Sequence, residues 1–240
     1  MTQLLYHEDS YLKEFEATIS AVDEDNHGLI LNRTAFFPGG GGQLPDRGTL
    51  TVEGITYPLK RAKNIAGQIV HLLEDNVSLP AVGETVHGQL DWELRYQLMR
   101  THTAMHILCG VIFRDYGASV TGGNMDPLQG RMDFEFETMR KELVEAINAA
   151  INAEVAKARP VSWRSLPRAQ AFQIPDLIRT KINLLPEGIA EVRVVEIAGL
   201  DLQADGGTHV RNTSEVGTIH VTDYKSKGKI NKRIYVELGD

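Results

Sequence analysis

His102 and His106 stand four residues apart in the run Arg100-Thr101-His102-Thr103-Ala104-Met105-His106-Ile107-Leu108. On a helix that spacing sets two imidazoles one above the other, about 5–6 Å apart at Cβ, so that both can reach one ion. Alone the pair is a weak signal, because so short a motif often arises by chance. A second segment strengthens it. Leu202-Gln203-Ala204-Asp205-Gly206-Gly207-Thr208-His209-Val210 offers a carboxylate and an imidazole four positions apart, around two glycines that permit a sharp bend. Three protein donors with a further position open to water or substrate is the donor set of a catalytic zinc site, so His102, His106 and His209 are expected to hold one Zn2+ per chain. Asp205 is either a fourth ligand or a carboxylate beside the metal that accepts a proton from attacking water. Cys109, one turn from His106, either faces the metal or packs in the core, the commoner fate of a lone thiol.

These groups need a rigid helix beneath them. Asp91 is a candidate N-cap, Leu94, Leu98, Met105, Leu108 and Ile112 suit one helical face, and Gly117 suits the C-terminal end. Arg95 and Arg100 ride on this helix, either as surface cations or to steer a phosphate chain. Before it, FEATISAV, GLILNRTAFF, GTLTVEGITYPL, GQIVHLLE and TVHGQLD alternate like short strands between turn residues. Those spacings suit a small barrel or sandwich; an N-terminal β-barrel over residues 1–88 is expected, with a second domain over 89–240. Gly39 to Gly42 cannot form a packed strand. They are either a loose connection between two strands or a loop whose bare backbone lies against a substrate or the neighbouring domain, with Gln43 as its one amide.

Beyond Gly117, Gly130 to Phe136 alternates as a half-buried strand, and Met139 to Ala158 reads as a helix with Leu143, Ile147, Ile151 and Val155 on one face, stopped by Pro160. Val161 to Arg164 reads as a strand, Asp176 to Lys181 as a short helix, and Glu191 to Leu200, Glu215 to Tyr224 and Lys229 to Leu238 as β-rich runs. Strands and two long helices that do not alternate as β-α-β indicate an α+β sandwich with a mainly antiparallel sheet.

The 240 residues are 42% hydrophobic and 24% charged, an ordinary globular balance. No apolar window approaches the length of a membrane span, and the N-terminus lacks a basic-then-apolar signal pattern, so no membrane partner is expected. One cysteine excludes an internal disulfide and suits a cytoplasmic location. The net charge of −7 weighs against tight nucleic-acid binding. It is concentrated early, with six basic and twelve acidic residues among the first 88 against nineteen and twenty in the remainder. Lys225, Lys227, Lys229, Lys232 and Arg233 fall within nine residues, either as a solvated hairpin tip or as a contact for RNA.

HTAMH followed by DGGTHV and RNTSEVG resembles the alanyl-tRNA editing proteins, free-standing relatives of the alanyl-tRNA synthetase editing domain. Phe36-Phe37-Pro38-Gly39-Gly40-Gly41-Gly42-Gln43 with Asp46-Arg47-Gly48 resembles the glycine-rich segment of their longer members, and the likeness covers nearly the whole chain. Asp205 stands where many members carry cysteine. The resemblance implies metal-assisted hydrolysis of mischarged tRNA(Ala), chiefly seryl-tRNA(Ala) and also glycyl-tRNA(Ala), in the service of translation fidelity. It implies Asp205 and Thr121 as catalytic-site residues, with Thr121 reading the substrate hydroxyl, although Thr121 also suits a turn hydroxyl bonded to its own backbone. Thr103 and Thr208 flank the ligands. Gly41, Gly42, Gln43, Arg100, Thr103, Lys225 and Lys227 are the candidate substrate contacts. Two other classes compete. A zinc peptidase needs a glutamate where HTAMH has Thr103. A non-catalytic RNA-binding module suits the missing cysteine but leaves three retained histidines without a purpose.

Overall fold

Alternation of apolar and polar residues builds the first unit: Phe15, Ala17 and Ile19 are buried, while the alternate positions Glu14 and Glu16 are exposed. The computed structural model describes residues 2–181, 185 and 188–240. The chain falls into two compact units, Met1–Gln97 and Leu98–Asp240. The division thus lies inside the long helix, nine residues past the expected boundary near 88.

In the first unit, strands β2 (Glu14–Asp23), β3 (Gly28–Leu31), β5 (Gly48–Val52), β6 (Ile55–Ile65), β7 (Gln68–Leu73) and β8 (Thr85–Leu90) close into a barrel in the order β2-β3-β7-β6-β5-β8. Every pairing is antiparallel. Phe15, Leu29, Leu31, Phe36, Leu50, Leu73 and Val86 fill it. Outside run a short helix α1 (Leu5–Glu8) and a parallel pair, β1 (Gln3–Leu4) with β4 (Arg33–Thr34).

The glycine-rich segment is a closed turn rather than a loose connection. Gly39 to Gly42 all have positive φ, and Gly40 and Gln43 exchange both backbone hydrogen bonds, at 3.0 and 2.9 Å. Gly40 and Gly41 are exposed, and Gln43 is buried. Below them Asp46 accepts from Phe37 N–H at 2.5 Å and from Arg95 Nε at 2.9 Å, and it also pairs with Arg95 Nη2. Arg95 further donates to the carbonyls of Ser10 and Ala35, at 2.9 and 2.6 Å. It is fully buried, so its guanidinium braces the barrel and is not available to steer phosphate.

The helix α2 (Trp92–Tyr116) is capped at its start by Asp91 Oδ1, which accepts from Leu94 N–H at 3.2 Å, and Gly117 N–H bonds Phe113 O at its end. In the second unit β9 (Val120–Asp126), β10 (Gln129–Glu135), β14 (Ile219–Ser226) and β15 (Asn231–Leu238) form an antiparallel sheet ordered β14-β15-β10-β9. Beside β14 lies α3 (Lys141–Ala156), whose buried residues are Val144, Ile147, Ile151 and Glu154. The stripe is therefore shifted from the expected step-by-four, and Leu143 and Val155 sit at its margins. Glu154 is tolerated in the stripe because Arg114, Lys157 and Arg159 surround its carboxylate at 2.6, 2.8 and 2.6 Å. A second antiparallel sheet joins β11 (Val161–Pro167), β12 (Glu191–Ile197) and β13 (Asp201–Ala204). The α+β class and its mainly antiparallel sheets are as expected.

One element differs in place. The short helix α4 lies at Arg168–Ala171, not at Asp176 to Lys181. Asp176 has φ +55°, and Arg179 to Lys181 run extended against β9: Arg179 O accepts from Val120 N–H at 3.0 Å and Lys181 N–H donates to Val120 O at 2.9 Å. An available strand edge outweighs weak helical propensity. Glu215 likewise belongs to a 3-10 turn (Thr213–Val216) capped by Asn212, ahead of β14.

Candidate metal centre

His102 and His106 project from α2, and Asp205 and His209 from the loop after β13. One donor atom from each of the four lies within 4.8 Å of all the others. The imidazole centroids are 5.1 Å apart for His102 and His106, 4.2 Å for His102 and His209, and 4.7 Å for His106 and His209. The Asp205 oxygens sit among these rings, Oδ1 3.4 Å from His102 Nε2 and Oδ2 2.9 Å from His209 Nε2.

Each ring is held from behind. His106 Nδ1 meets Asp201 Oδ2 at 3.0 Å. His209 Nδ1 meets Thr103 Oγ1 at 3.3 Å, and that hydroxyl accepts from Val210 N–H at 3.2 Å. These contacts on Nδ1 leave Nε2 of both rings toward the cluster, the arrangement by which outer partners orient ligating histidines. The paired glycines act differently from expectation. Neither Gly206 nor Gly207 has positive φ; instead Gly207 N–H donates to Asp205 Oδ2 at 2.7 Å. Arg193 braces the same loop, donating from Nη1 to the carbonyls of Asp205 and Gly207 at 3.0 and 2.9 Å.

The electrostatics favour deprotonated donors. Burial lowers His102 to a pKa of about 4, partly countered by Asp205. Burial and the neighbouring His102 hold His209 well below the ordinary imidazole value. Burial opposes the Asp205 carboxylate, but His102, His209 and His106 outweigh it and keep its pKa well below the usual range. His106 is the exception: burial pulls it down, yet the hydrogen bond and charge of Asp201 lift it above the ordinary value. Three buried imidazoles and a half-buried carboxylate, without sulfur, suit zinc or another borderline divalent ion. Cys109 is buried and stands outside this group, its thiol pushed upward by burial.

The other candidate residues have their own surroundings. Thr103 is fully buried, with its hydroxyl engaged behind His209. Arg100 clasps the C-terminal segment, donating from Nε to Val216 O at 3.1 Å and from Nη2 to Gly239 O at 2.9 Å, so its fork is turned inward. Thr121 lies exposed on β9 and donates to Asn231 Oδ1 at 3.0 Å. In the hairpin, Lys225 pairs with Asp223 at 2.9 Å, while Lys232 is buried and caps the carbonyls of Gly228 and Lys229. Arg233 grips Asp133 at 2.6 and 2.8 Å, so the exposed tip cations are Lys225, Lys227 and Lys229. Gly41, Gly42 and Gln43 belong to the barrel unit. Sequence reasoning missed Asp201, a buried carboxylate four residues before Asp205 whose only hint was its closeness to the DGGTH run.

Residues 7–94 match the family model for class II (A) tRNA synthetases, and residues 192–235 match the model for the threonyl and alanyl tRNA synthetase second additional domain. The chain is 42% identical over 240 residues to the alanyl-tRNA editing protein AlaX-M of Saccharolobus solfataricus, covering 98% of each protein. It is 37% identical over 245 residues to the AlaX-M protein of Methanosarcina barkeri, across the full length of both. The alanine–tRNA ligase of Saccharolobus islandicus is 33% identical over 228 residues, which span 92% of this chain and 25% of the ligase. With full-length identity well above that needed to establish kinship, and the HTAMH and DGGTH segments meeting at one centre, the chain belongs to the alanyl-tRNA editing protein family.

Proposed function

We propose that this protein is a trans-editing aminoacyl-tRNA deacylase that hydrolyses mischarged tRNA(Ala), chiefly seryl-tRNA(Ala) and also glycyl-tRNA(Ala), in the cytoplasm. The observation that carries it is the convergence of His102, His106, His209 and Asp205 within 4.8 Å, in a chain whose full-length relatives are named alanyl-tRNA editing proteins. The scissile bond is an activated ester on the terminal ribose, which needs a positioned water and a polarised carbonyl more than a strong nucleophile. A zinc ion held by the three histidines would supply both, as a Lewis acid and by lowering the pKa of a bound water. Asp205 fits the role of fourth donor better than that of base: both its oxygens point among the imidazoles, and a carboxylate held so far below its usual range is a poor proton acceptor.

Thr121 is assigned to the serine hydroxyl. Of the three candidate threonines, Thr103 and Thr208 are fully buried, whereas Thr121 lies exposed, its hydroxyl donating to Asn231 Oδ1 with its oxygen left as an acceptor. A site that bonds a hydroxyl discriminates far more sharply than one that senses a methylene, which spares alanyl-tRNA. Lys225 and Lys227 on the exposed hairpin are assigned to the tRNA backbone, with the glycine turn at Gly41, Gly42 and Gln43 as a further contact.

The test is deacylation of seryl-, glycyl- and alanyl-tRNA(Ala) by the purified protein, with and without a chelator. Chelator-sensitive turnover of the seryl and glycyl esters, sparing of the alanyl ester and loss of activity in His106→Ala support the proposal. Turnover that persists in His106→Ala and in chelator removes metal from the mechanism.

A further inference from the structure

Behind His106 the buried carboxylate of Asp201 faces the half-buried guanidinium of Arg179. The Asp201 side chain has no solvent exposure, and its Oδ2 serves both His106 Nδ1 at 3.0 Å and Gln203 Nε2 at 2.7 Å. Among the described residues its Oδ1 makes no hydrogen bond; facing it at 3.5 Å is Arg179 Nε. Among the described residues Arg179 is the only lysine or arginine within ion-pair distance of this carboxylate. The Arg179 guanidinium lies over the Phe113 ring, 3.6 Å from its centroid, and Phe113 is two helical turns beyond His106 on α2. Arg179 is thus wedged between the helix that carries two ligands and the carboxylate that orients one of them. Its main chain is fixed as well, through the paired hydrogen bonds of Arg179 and Lys181 to Val120, the residue before Thr121 on β9.

We infer that Arg179 is a positioning residue of the metal centre: it neutralises and seats Asp201, which holds His106 in its ligating orientation, and it ties that orientation to strand β9. The physical reason is asymmetric satisfaction. One oxygen is bonded twice and the other faces a single cation, so losing that cation leaves an uncompensated buried charge, which the carboxylate relieves by turning away from His106. Arg179 contributes a flat surface as well as a charge, so the stack on Phe113 sets the plane in which Asp201 rests. Neither residue touches the reacting ester in this account.

The inference rests on the metal reading of the His102, His106, His209 and Asp205 cluster, and its test separates the two. Zinc affinity is measured by chelator competition for the wild type, Arg179→Met, Arg179→Lys, Asp201→Asn and the double variant, and each is reconstituted with Co2+ for its visible spectrum. Arg179→Met is expected to weaken zinc binding roughly 10- to 100-fold, the usual effect of losing an outer partner, and to alter the cobalt ligand-field bands. Arg179→Lys recovers part of the affinity through its charge but not the wild-type spectrum. Arg179→Met in the Asp201→Asn background adds little, because the neutral amide needs no cation. Wild-type affinity and spectrum in Arg179→Met, or losses that simply multiply in the double variant, overturn the positioning role. Should Arg179→Met fail to fold, the Arg179→Lys spectrum decides: bands identical to wild type overturn the inference. A wild type that takes up neither metal overturns the zinc reading itself, and the inference with it.

Discussion

Gly110, in the C-terminal third of α2, marks where the helix that carries His102 and His106 meets the turn between β12 and β13. A Cβ built there falls 2.9 Å from Leu200 Cγ, 3.0 Å from Asp201 Cβ and 3.2 Å from Leu200 O. Ordinary carbon–carbon contact is about 3.5–4.0 Å, so in Gly110→Ala the turn must retreat by roughly 0.5–1 Å. Helix propensity alone makes the substitution favourable by about 1 kcal/mol, while overpacking typically costs about 1–3 kcal/mol. Stability is therefore expected to stay level or fall by up to about 2 kcal/mol. The larger consequence is local. The His106 Nδ1 to Asp201 Oδ2 bond is 3.0 Å long, and a retreat of half an ångström takes it to the edge of hydrogen-bonding range. Zinc affinity should drop about tenfold or more, as when an outer-shell partner is lost. Urea unfolding of the metal-free protein and chelator competition of the loaded protein read the two effects separately. A variant stabilised by about 1 kcal/mol with unchanged zinc affinity would refute the reasoning: Gly110 would then be only a weak point in a helix.

His71 supplies a pH test in the barrel. Burial lowers its pKa to about 4, against about 6.5 when unfolded, and its neutral form bonds Thr34 Oγ1 at 2.8 Å and Leu29 O at 3.0 Å. Between those values the unfolded chain binds a proton that the native one excludes. The contribution is thus complete above pH 6.5 and is lost toward pH 4, about 3 kcal/mol in all and roughly 2 kcal/mol by pH 5. Urea midpoints at pH 7.5 and 5.0 should show that loss in the wild type and a smaller one in His71→Asn; equal losses in the two proteins refute it. Asp205→Cys, by supplying a softer donor, should raise zinc retention on dialysis, and equal metal content in both proteins argues against ligation by Asp205. Thr121→Val should erode the preference for the seryl over the alanyl ester, and an unaltered ratio removes Thr121 from the pocket.

The most legible parts of the chain were those where local chemistry and tertiary packing agree. Asp91 and Gly117 bracket α2 because their side chain or backbone meets the helix ends directly, and period-two alternation marks the barrel strands since one face of each is buried. The histidines of HTAMH and the DGGTH run were legible because four-residue spacing on a helix and in a tight loop restricts where donors can point. What was not legible depended on partners distant in sequence. Arg95 reads as a surface cation until Asp46, 49 residues away, is seen to enclose it. Arg179 to Lys181 reads as weakly helical until the edge of β9 claims it. Asp201 belongs to no motif, and its importance lies in an approach to His106 across 95 residues of chain. Thr103 looks like a substrate contact from its place beside the histidines, but the side chain turns toward His209 Nδ1.

The central claim is that one ion is held by His102, His106, His209 and Asp205. Zinc K-edge X-ray absorption on the purified protein, with the metal counted per chain, tests it most directly. One zinc per chain is expected, in a shell of nitrogen and oxygen at about 2.0–2.2 Å, with imidazole scattering from three rings. A sulfur scatterer at about 2.3 Å, which would bring in Cys109, or the absence of stoichiometric metal would contradict it.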